Sequence, residues 1–213
     1  MTSPRVLLLT ERAPVASLES GWTRVDVPDA TSLARTAARA WYWPEAKNVL
    51  ARVASAIRFE STAEAPTPLD AALLATERAA SVARDTGVLA VLWETTGLVH
   101  DAASFVDQSA DASREDPPLY LWIAFEGTKD EGGTLGMRTT GLAALGAMEV
   151  EVEGSKRDGE HILECVTDIA LFLLTGDPVP DDGETIEITH GALRVRRMRS
   201  LRGDGTIALR VRV

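Results

Sequence analysis

The residues best equipped for chemistry begin with His100, which stands next to Asp101 after "LWETTGLV". A histidine held by a carboxylate is the usual pattern of a general base. Glu94 closes the apolar run "VLAVLWE", and polar side chains at the ends of buried strands often face a ligand crevice. With Thr95 and Thr96 it would line a pocket wall. Against the general-base reading, Asp101 also sits where a helix N-cap is wanted, because "AASFVDQ" follows it. His161, Glu164 and Asp168 share one polar face at i, i+3 and i+7, a spacing that suits a metal ion. A structural metal site usually takes four protein ligands. Acids near a helix start are favourable without any ion, so a solvated face is expected here and no metal. His190 precedes Gly191 in a turn and carries little signal. Cys165 falls in helical register with Ile162, Val166 and Ile169, the setting of a buried thiol acting as a small hydrophobe. A single cysteine excludes a disulfide framework and a thiolate-rich zinc site.

The stretch "GGTLGMRTTGLAALGAMEVEVEGS", residues 132 to 155, is the closest approach to a phosphate-cradling loop. A Walker-type loop needs a Lys-Ser/Thr pair after its last glycine. Here Gly136 precedes Met137 and Arg138, and G-x-G-x-x-G spacing is missing. The stretch reads as a joint: a turn at "KDEGG", a short strand "TLGMRTT", a one-turn helix "GLAALG" with Thr140 able to cap it, and the alternating strand "AMEVEVEGS". Met148, Val150 and Val152 should point inward and Glu149, Glu151 and Glu153 outward. G-x-S-x-G is absent. The acids Asp177, Asp181, Asp182 and Glu184 lack calcium-loop order and read as turn residues. No catalytic residue and no cofactor is assigned.

Charge is unevenly spread along a chain whose formal net charge is −10. Residues 191–213 hold seven arginines and one acid, Asp204, so the remainder is strongly acidic. Such a chain is a poor binder of nucleic acid, whose phosphates demand dense Lys and Arg. In "TIALRVRV" and "ALRVRRM" the period of two puts Arg210 and Arg212, and Arg194 and Arg196, on one side of their strands. Pairing of the two strands would gather these four guanidinium groups on one sheet face. There they either pair with acids such as Glu149, Glu151 and Glu153 or form a docking patch for an acidic partner. "WYWP" adds Trp41, Tyr42 and Trp43, residue types that anchor interfaces and also close core edges.

The elements that must position these groups follow from periodicity. Strands are expected at "PRVLLLT", "WTRVDVP", "RVASAIRFEST", "VLAVLWE", "LYLWIAFE", "ETIEI", "ALRVRRM" and "TIALRVRV", besides those of the glycine-rich joint. Helices are expected at about 31–40, over "TPLDAALLATERAASVARDTG", and over "DGEHILECVTDIALFLLTG", whose apolar stripe closes at Gly176. The fold class is α+β: a mixed, largely antiparallel β-sheet with helices packed on it. One domain is expected over 1–213, with 1–40 as a candidate N-terminal subdomain. No apolar run approaches the roughly 18 residues of a membrane span. The apolar run after Arg5 is too short for a signal-peptide core. An unprocessed N-terminus and a cytoplasmic location are therefore expected.

"TLGMRTTGLAALGAMEVEVEGS", the helix "HILECVTDIALFLL" and the turn "DDGETI" resemble the C-terminal half of a mainly bacterial family known as domain of unknown function 4261. Thr140-Gly141, Glu149-Glu151 and Asp182-Gly183 are the matching positions. "WPEAKNVLARVASAIRFES", "LAVLWE" and "PPLYLWIAFE" extend the resemblance over roughly 41–190, with a departure at "RVASAI", where a histidine is expected. The resemblance implies no activity, cofactor or catalytic residue.

Together these features point to a non-enzymatic, cytoplasmic protein that binds another protein in an immunity-like or regulatory role. Its candidate binding residues are Arg194, Arg196, Arg210, Arg212, Trp41, Trp43, Glu94 and His100. Two rivals stand beside it. A small hydrolase or ligand-binding enzyme would use Glu94 and His100 in one concave pocket. A structural component of a larger assembly would multimerise through exposed strand edges. No nucleic acid or membrane partner is expected, and the oligomeric state is open.

Overall fold

The structure is a computed structural model that describes residues 4–12, 21–60, 65–84, 87–176 and 179–213. Asp177, one of the turn acids named above, lies outside the described residues. The fold is α+β, with two mostly antiparallel sheets where one was expected. The chain divides into two compact units, Met1–Trp122 and Ile123–Val213.

Unit 1 contains β1 (Arg5–Thr10), β2 (Trp22–Val25), α1 (Ala30–Arg39), α2 (Ala46–Leu50), β3 (Ser55–Glu60), α3 (Pro68–Ala83), β4 (Val88–Trp93), β5 (Leu98–Asp101), α4 (Ala102–Gln108) and α5 (Leu119–Trp122). The strands pair antiparallel in the order β2-β3-β1-β4-β5. β1 is central, and its unbroken run Val6–Leu9 is buried on both faces, as a continuous apolar strand requires. β1 pairs with β3 and β4, and β2 pairs with β3, so both early strands belong to the sheet of unit 1. On one face Leu7, Leu9, Ala56, Leu92 and Val99 pack against Leu33, Trp43, Ala46 and Leu50 from α1, α2 and the link between them. α3 packs on β1, β3 and β4. Its start is fixed by a capping box, in which the Asp70 N–H donates to the Thr67 hydroxyl and the Thr67 N–H to the Asp70 carboxylate.

The strand expected over "LYLWIAFE" begins only at Ala124. Residues 119–122 form a helical turn instead, with the Leu121 N–H donating to the Pro118 carbonyl at 3.0 Å. Pro117 and Pro118 cannot donate to a ladder and hold φ near the helical value. Leu119, Leu121 and Trp122 are all buried while Tyr120 is exposed, and a period of two cannot bury both Leu121 and Trp122 on one face. Trp122 lies against Trp93 with ring centroids 5.8 Å apart, and its indole N–H donates to the Thr76 hydroxyl at 2.8 Å.

Unit 2 contains β6 (Ala124–Lys129), β7 (Leu135–Thr140), a 3-10 turn (Leu142–Leu145), β8 (Val150–Ser155), α6 (Gly159–Thr175), β9 (Thr185–Ile188), β10 (Gly191–Arg199) and β11 (Ile207–Val211). The strand order is β6-β7-β8-β11-β10-β9, antiparallel except for the β8–β11 pair. α6 packs on β7 and β8. Its expected stripe is buried at Ile162, Val166, Ile169, Ala170 and Leu173.

The glycine-rich joint keeps its expected pieces but is capped differently. Glu149, not Thr140, serves the 3-10 turn. Its carboxylate accepts from the backbone N–H groups of Gly141 at 2.9 Å and Ala143 at 3.1 Å, and from the Thr139 hydroxyl at 2.7 Å. Gly141 holds φ +124°, which a side chain would strain. At Gly136 a Cβ would come 2.6 Å from both the Thr128 hydroxyl and the Val152 carbonyl, so only glycine fits where β7 shifts register against β8. The N–H groups that a phosphate would want are already taken by the chain's own carboxylate.

The outward direction expected for Glu151 is corrected. Its residue is 1% exposed. The loop linking β10 to β11 folds over it: the Ser200 hydroxyl and the Leu201 N–H donate to its carboxylate at 2.7 and 2.9 Å. β8 is an interior strand with Val150 and Val152 buried on its other face, so both sides are covered.

Candidate functional site

The arginine-bearing strands do pair, with Arg196 directly opposite Arg210. Across the sheet the facing positions run Glu126, Arg138, Glu151, Arg210, Arg196, a row that alternates in sign over its first four members. Cross-strand opposite charges attract at these separations, and most of the cationic surplus of the C-terminal segment is used up inside unit 2. Arg210, whose side chain is only 15% exposed, reaches the Glu151 carboxylate at 3.2 Å and that of Glu153 at 3.5 Å. Arg196 pairs with Asp182 at 3.2 Å, and Arg194 donates to the Gly183 carbonyl at 3.0 Å. Arg202 donates to Glu126, the Thr139 carbonyl and the Thr140 hydroxyl, pinning the loop across the face. Arg212 is exposed just beyond β11. On this face Arg196 and Arg210 pair with acids of the same unit, while Arg194 is held by a backbone carbonyl. The alternating row was hidden in sequence because its five members come from five strands.

The structure does not bring Glu94 and His100 together. Glu94 enters the β4–β5 turn, where its carboxylate accepts a two-pronged pair from Arg58 at 2.7 and 2.8 Å. His100 pairs across with Val91 in the β4–β5 ladder, which alternation places on the opposite face from Glu94. It is 5% exposed, lies between the Tyr42 and Phe105 rings at centroid distances of 5.6 and 6.2 Å, and its Nε2 has no hydrogen-bond partner among the described residues. Burial pushes its pKa down to about 4, against weaker upward pulls from the Leu121 backbone and the Asp101 charge. Asp101 caps α4 as expected, accepting from the Ser104 N–H at 2.9 Å. Thr96 is buried in the same turn.

The aromatic cluster divides in two. Trp43 is buried in the core of unit 1, whereas Trp41 is 84% and Tyr42 40% exposed. The corner that presents them is held firmly. The Tyr42 hydroxyl donates to the Val99 carbonyl at 3.0 Å and its ring stacks on His100. The Trp43 N–H donates to the Ala40 carbonyl at 2.9 Å, and Pro44 follows. Trp43 also lines a shallow groove of about 830 Å³ together with Val49, Val88, Leu89, Ala102 and Val106.

A third cluster joins His161 and Glu164 of the expected helical face to His190, a meeting the sequence did not reveal. His161, Glu164 and His190 each offer a ligand atom, and all three atoms lie within 4.8 Å of one another. His161 and Glu164 are neighbours on α6, as the i, i+3 spacing implies. His190 arrives from the two-residue turn between β9 and β10, which the sequence places more than twenty positions away. Asp168, the third member of the expected helical face, accepts from the Thr189 N–H at 3.1 Å and so ties that turn to α6. Cys165 is buried, with Sγ 3.7 Å from the His161 Nε2, and burial together with Asp168 and Glu164 pushes its thiol pKa up.

Residues 138–200 match a family described as a domain of unknown function (DUF4261). The matched segment is less than half of the chain. It starts well after residue 41 and runs past 190, taking in Glu149, Glu151, α6 and the β9–β10 turn. No curated protein and no solved structure matches the chain.

Proposed function

We propose that the protein binds another protein, and that the Trp41–Tyr42 corner of unit 1 is the anchor of that contact. The observation that carries this reading is an indole 84% exposed on backbone that hydrogen bonds and stacking already hold in place. Burying an exposed aromatic carried on backbone that is already fixed is the pattern of an interface hot spot. A protein partner is favoured over nucleic acid because the chain is strongly acidic and two of its sheet arginines, Arg196 and Arg210, already pair with carboxylates of the same unit. An immunity-like or regulatory role in the cytoplasm fits a binder with a formal charge of −10. No helix among the described residues is long and apolar enough to cross a membrane.

A photo-crosslinking amino acid at position 41, followed by purification of the captured protein and direct affinity measurement, tests the reading. Trp41→Ala should weaken that affinity about 30-fold, the ~2 kcal/mol of a buried aromatic anchor. Arg212→Ala should leave it within about twofold. Unchanged affinity in Trp41→Ala would remove the corner from the interface.

A further inference from the structure

We propose that His161, Glu164 and His190 bind one divalent transition-metal ion of the zinc class on the surface of unit 2, leaving a coordination position open to water or an external ligand. Two imidazoles and one carboxylate are a ligand set that borderline ions such as Zn²⁺ accept, and three protein ligands leave the fourth tetrahedral position free.

The distances are those of a site needing only a small closure. Two N or O donors bound to zinc at tetrahedral angles stand roughly 3.3 Å apart. His190 Nε2 and the Glu164 carboxylate are 3.6 Å apart, and the third ligand atom is within 4.8 Å of both. Side-chain rotation of Glu164, half-exposed on α6, and of His190, on a turn, supplies the remaining movement. The two imidazoles meet edge to face at a centroid distance of 5.4 Å, so neither ring blocks the other's approach to a common point.

The backbone under each ligand is fixed. The His161 N–H donates to the N-cap residue Asp158 at 2.8 Å, which locks the first turn of α6. The Thr189–Asp168 bond fixes the turn that carries His190. Asp168 is a positioning residue here, using its oxygen on the turn rather than on the ion. A histidine and a glutamate forming only a surface ion pair would need neither the second imidazole nor this tether. Cys165 is buried beneath the site with its Sγ 3.7 Å from the His161 Nε2, but it is not one of the three groups whose ligand atoms all lie within 4.8 Å of one another, so the thiol is left out of the proposed ligand set.

The test uses the full chain, stripped with chelator and titrated with Zn²⁺ in competition with a chromophoric chelator, then with Co²⁺ for its absorption spectrum. One ion per chain is expected, with visible Co²⁺ bands of a four- or five-coordinate N/O site. His190→Gln and Glu164→Gln should each weaken Zn²⁺ binding at least about tenfold. Both positions are partly solvated, and circular dichroism verifies that the variants are folded. Asp168→Asn should weaken binding less than either ligand change. Binding no stronger than that of the His190→Gln variant would overturn the proposal. A thiolate-to-cobalt charge-transfer band that disappears in Cys165→Ser would overturn the open three-ligand set.

Discussion

His100 should make unit 1 sensitive to mild acid, and the size of the effect follows from its surroundings. The imidazole is buried between Tyr42 and Phe105, its Nε2 without a partner among the described residues, and its pKa falls from 6.5 to about 4. The unfolded chain therefore takes up the proton first as pH drops. By linkage, stability is full above the unfolded value, declines as pH falls from about 6.5, and stops declining below about 4. Between pH 7 and pH 5 the loss is about 2 kcal/mol. The carboxylates that hydrogen bonds hold below their usual range, such as Asp29, Asp70 and Asp182, titrate beneath that window and contribute little to it. The assay is urea denaturation at half-unit pH steps for the native chain and for His100→Phe, which keeps a ring between the two neighbours. The variant should lose about 2 kcal/mol less than the native chain on going from pH 7 to pH 5. Parallel curves for the two proteins would refute the reasoning, since His100 would then titrate alike folded and unfolded.

Two further outcomes follow from the carboxylates of β8 and its approach. Glu151→Ala should cost about 2–4 kcal/mol, because it strands the Leu201 N–H and the Ser200 hydroxyl in a covered site and leaves Arg210 only the longer of its two carboxylate pairs, with Glu153; thermal denaturation would show it. A loss below 1 kcal/mol would mean that the 200–206 loop does not rest on this residue. Glu149→Gln should cost about 1–2 kcal/mol and raise hydrogen exchange at Gly141 and Ala143, whose N–H groups it caps. Unaltered exchange at those two amides would remove Glu149 from the capping role.

Local signals in the chain were enough for the fold class and most elements. The 3.6-residue stripe of α6, the apolar runs of β1 and β4, and the Thr67-Pro68 start of α3 each act over a few neighbouring residues. The hinge character of residues 132–146 was legible for the same reason: glycine spacing without lysine already excludes a phosphate loop. Two assignments failed where long-range packing decided the outcome. Residues 119–122 alternate like a strand, yet Trp122 turns inward to reach Thr76, which lies 46 positions earlier. Glu151 alternates outward like its neighbours, yet a loop from 49 residues later covers it.

Sequence alone determined which residue types were available and which side of a helix or strand they take, since φ and ψ repeat with fixed periods. Tertiary structure decided which of them meet. Trp41 and Trp43, two residues apart, part company because one faces the core and the other turns from it. His161 and His190 are brought together because a two-residue turn lands on α6 through Asp168. Glu94 and His100, close in sequence, stay apart because an antiparallel ladder sends them to opposite faces. Distance along a chain carries no information about such meetings once the chain folds back, because pairing register and burial, acting over the whole unit, set them.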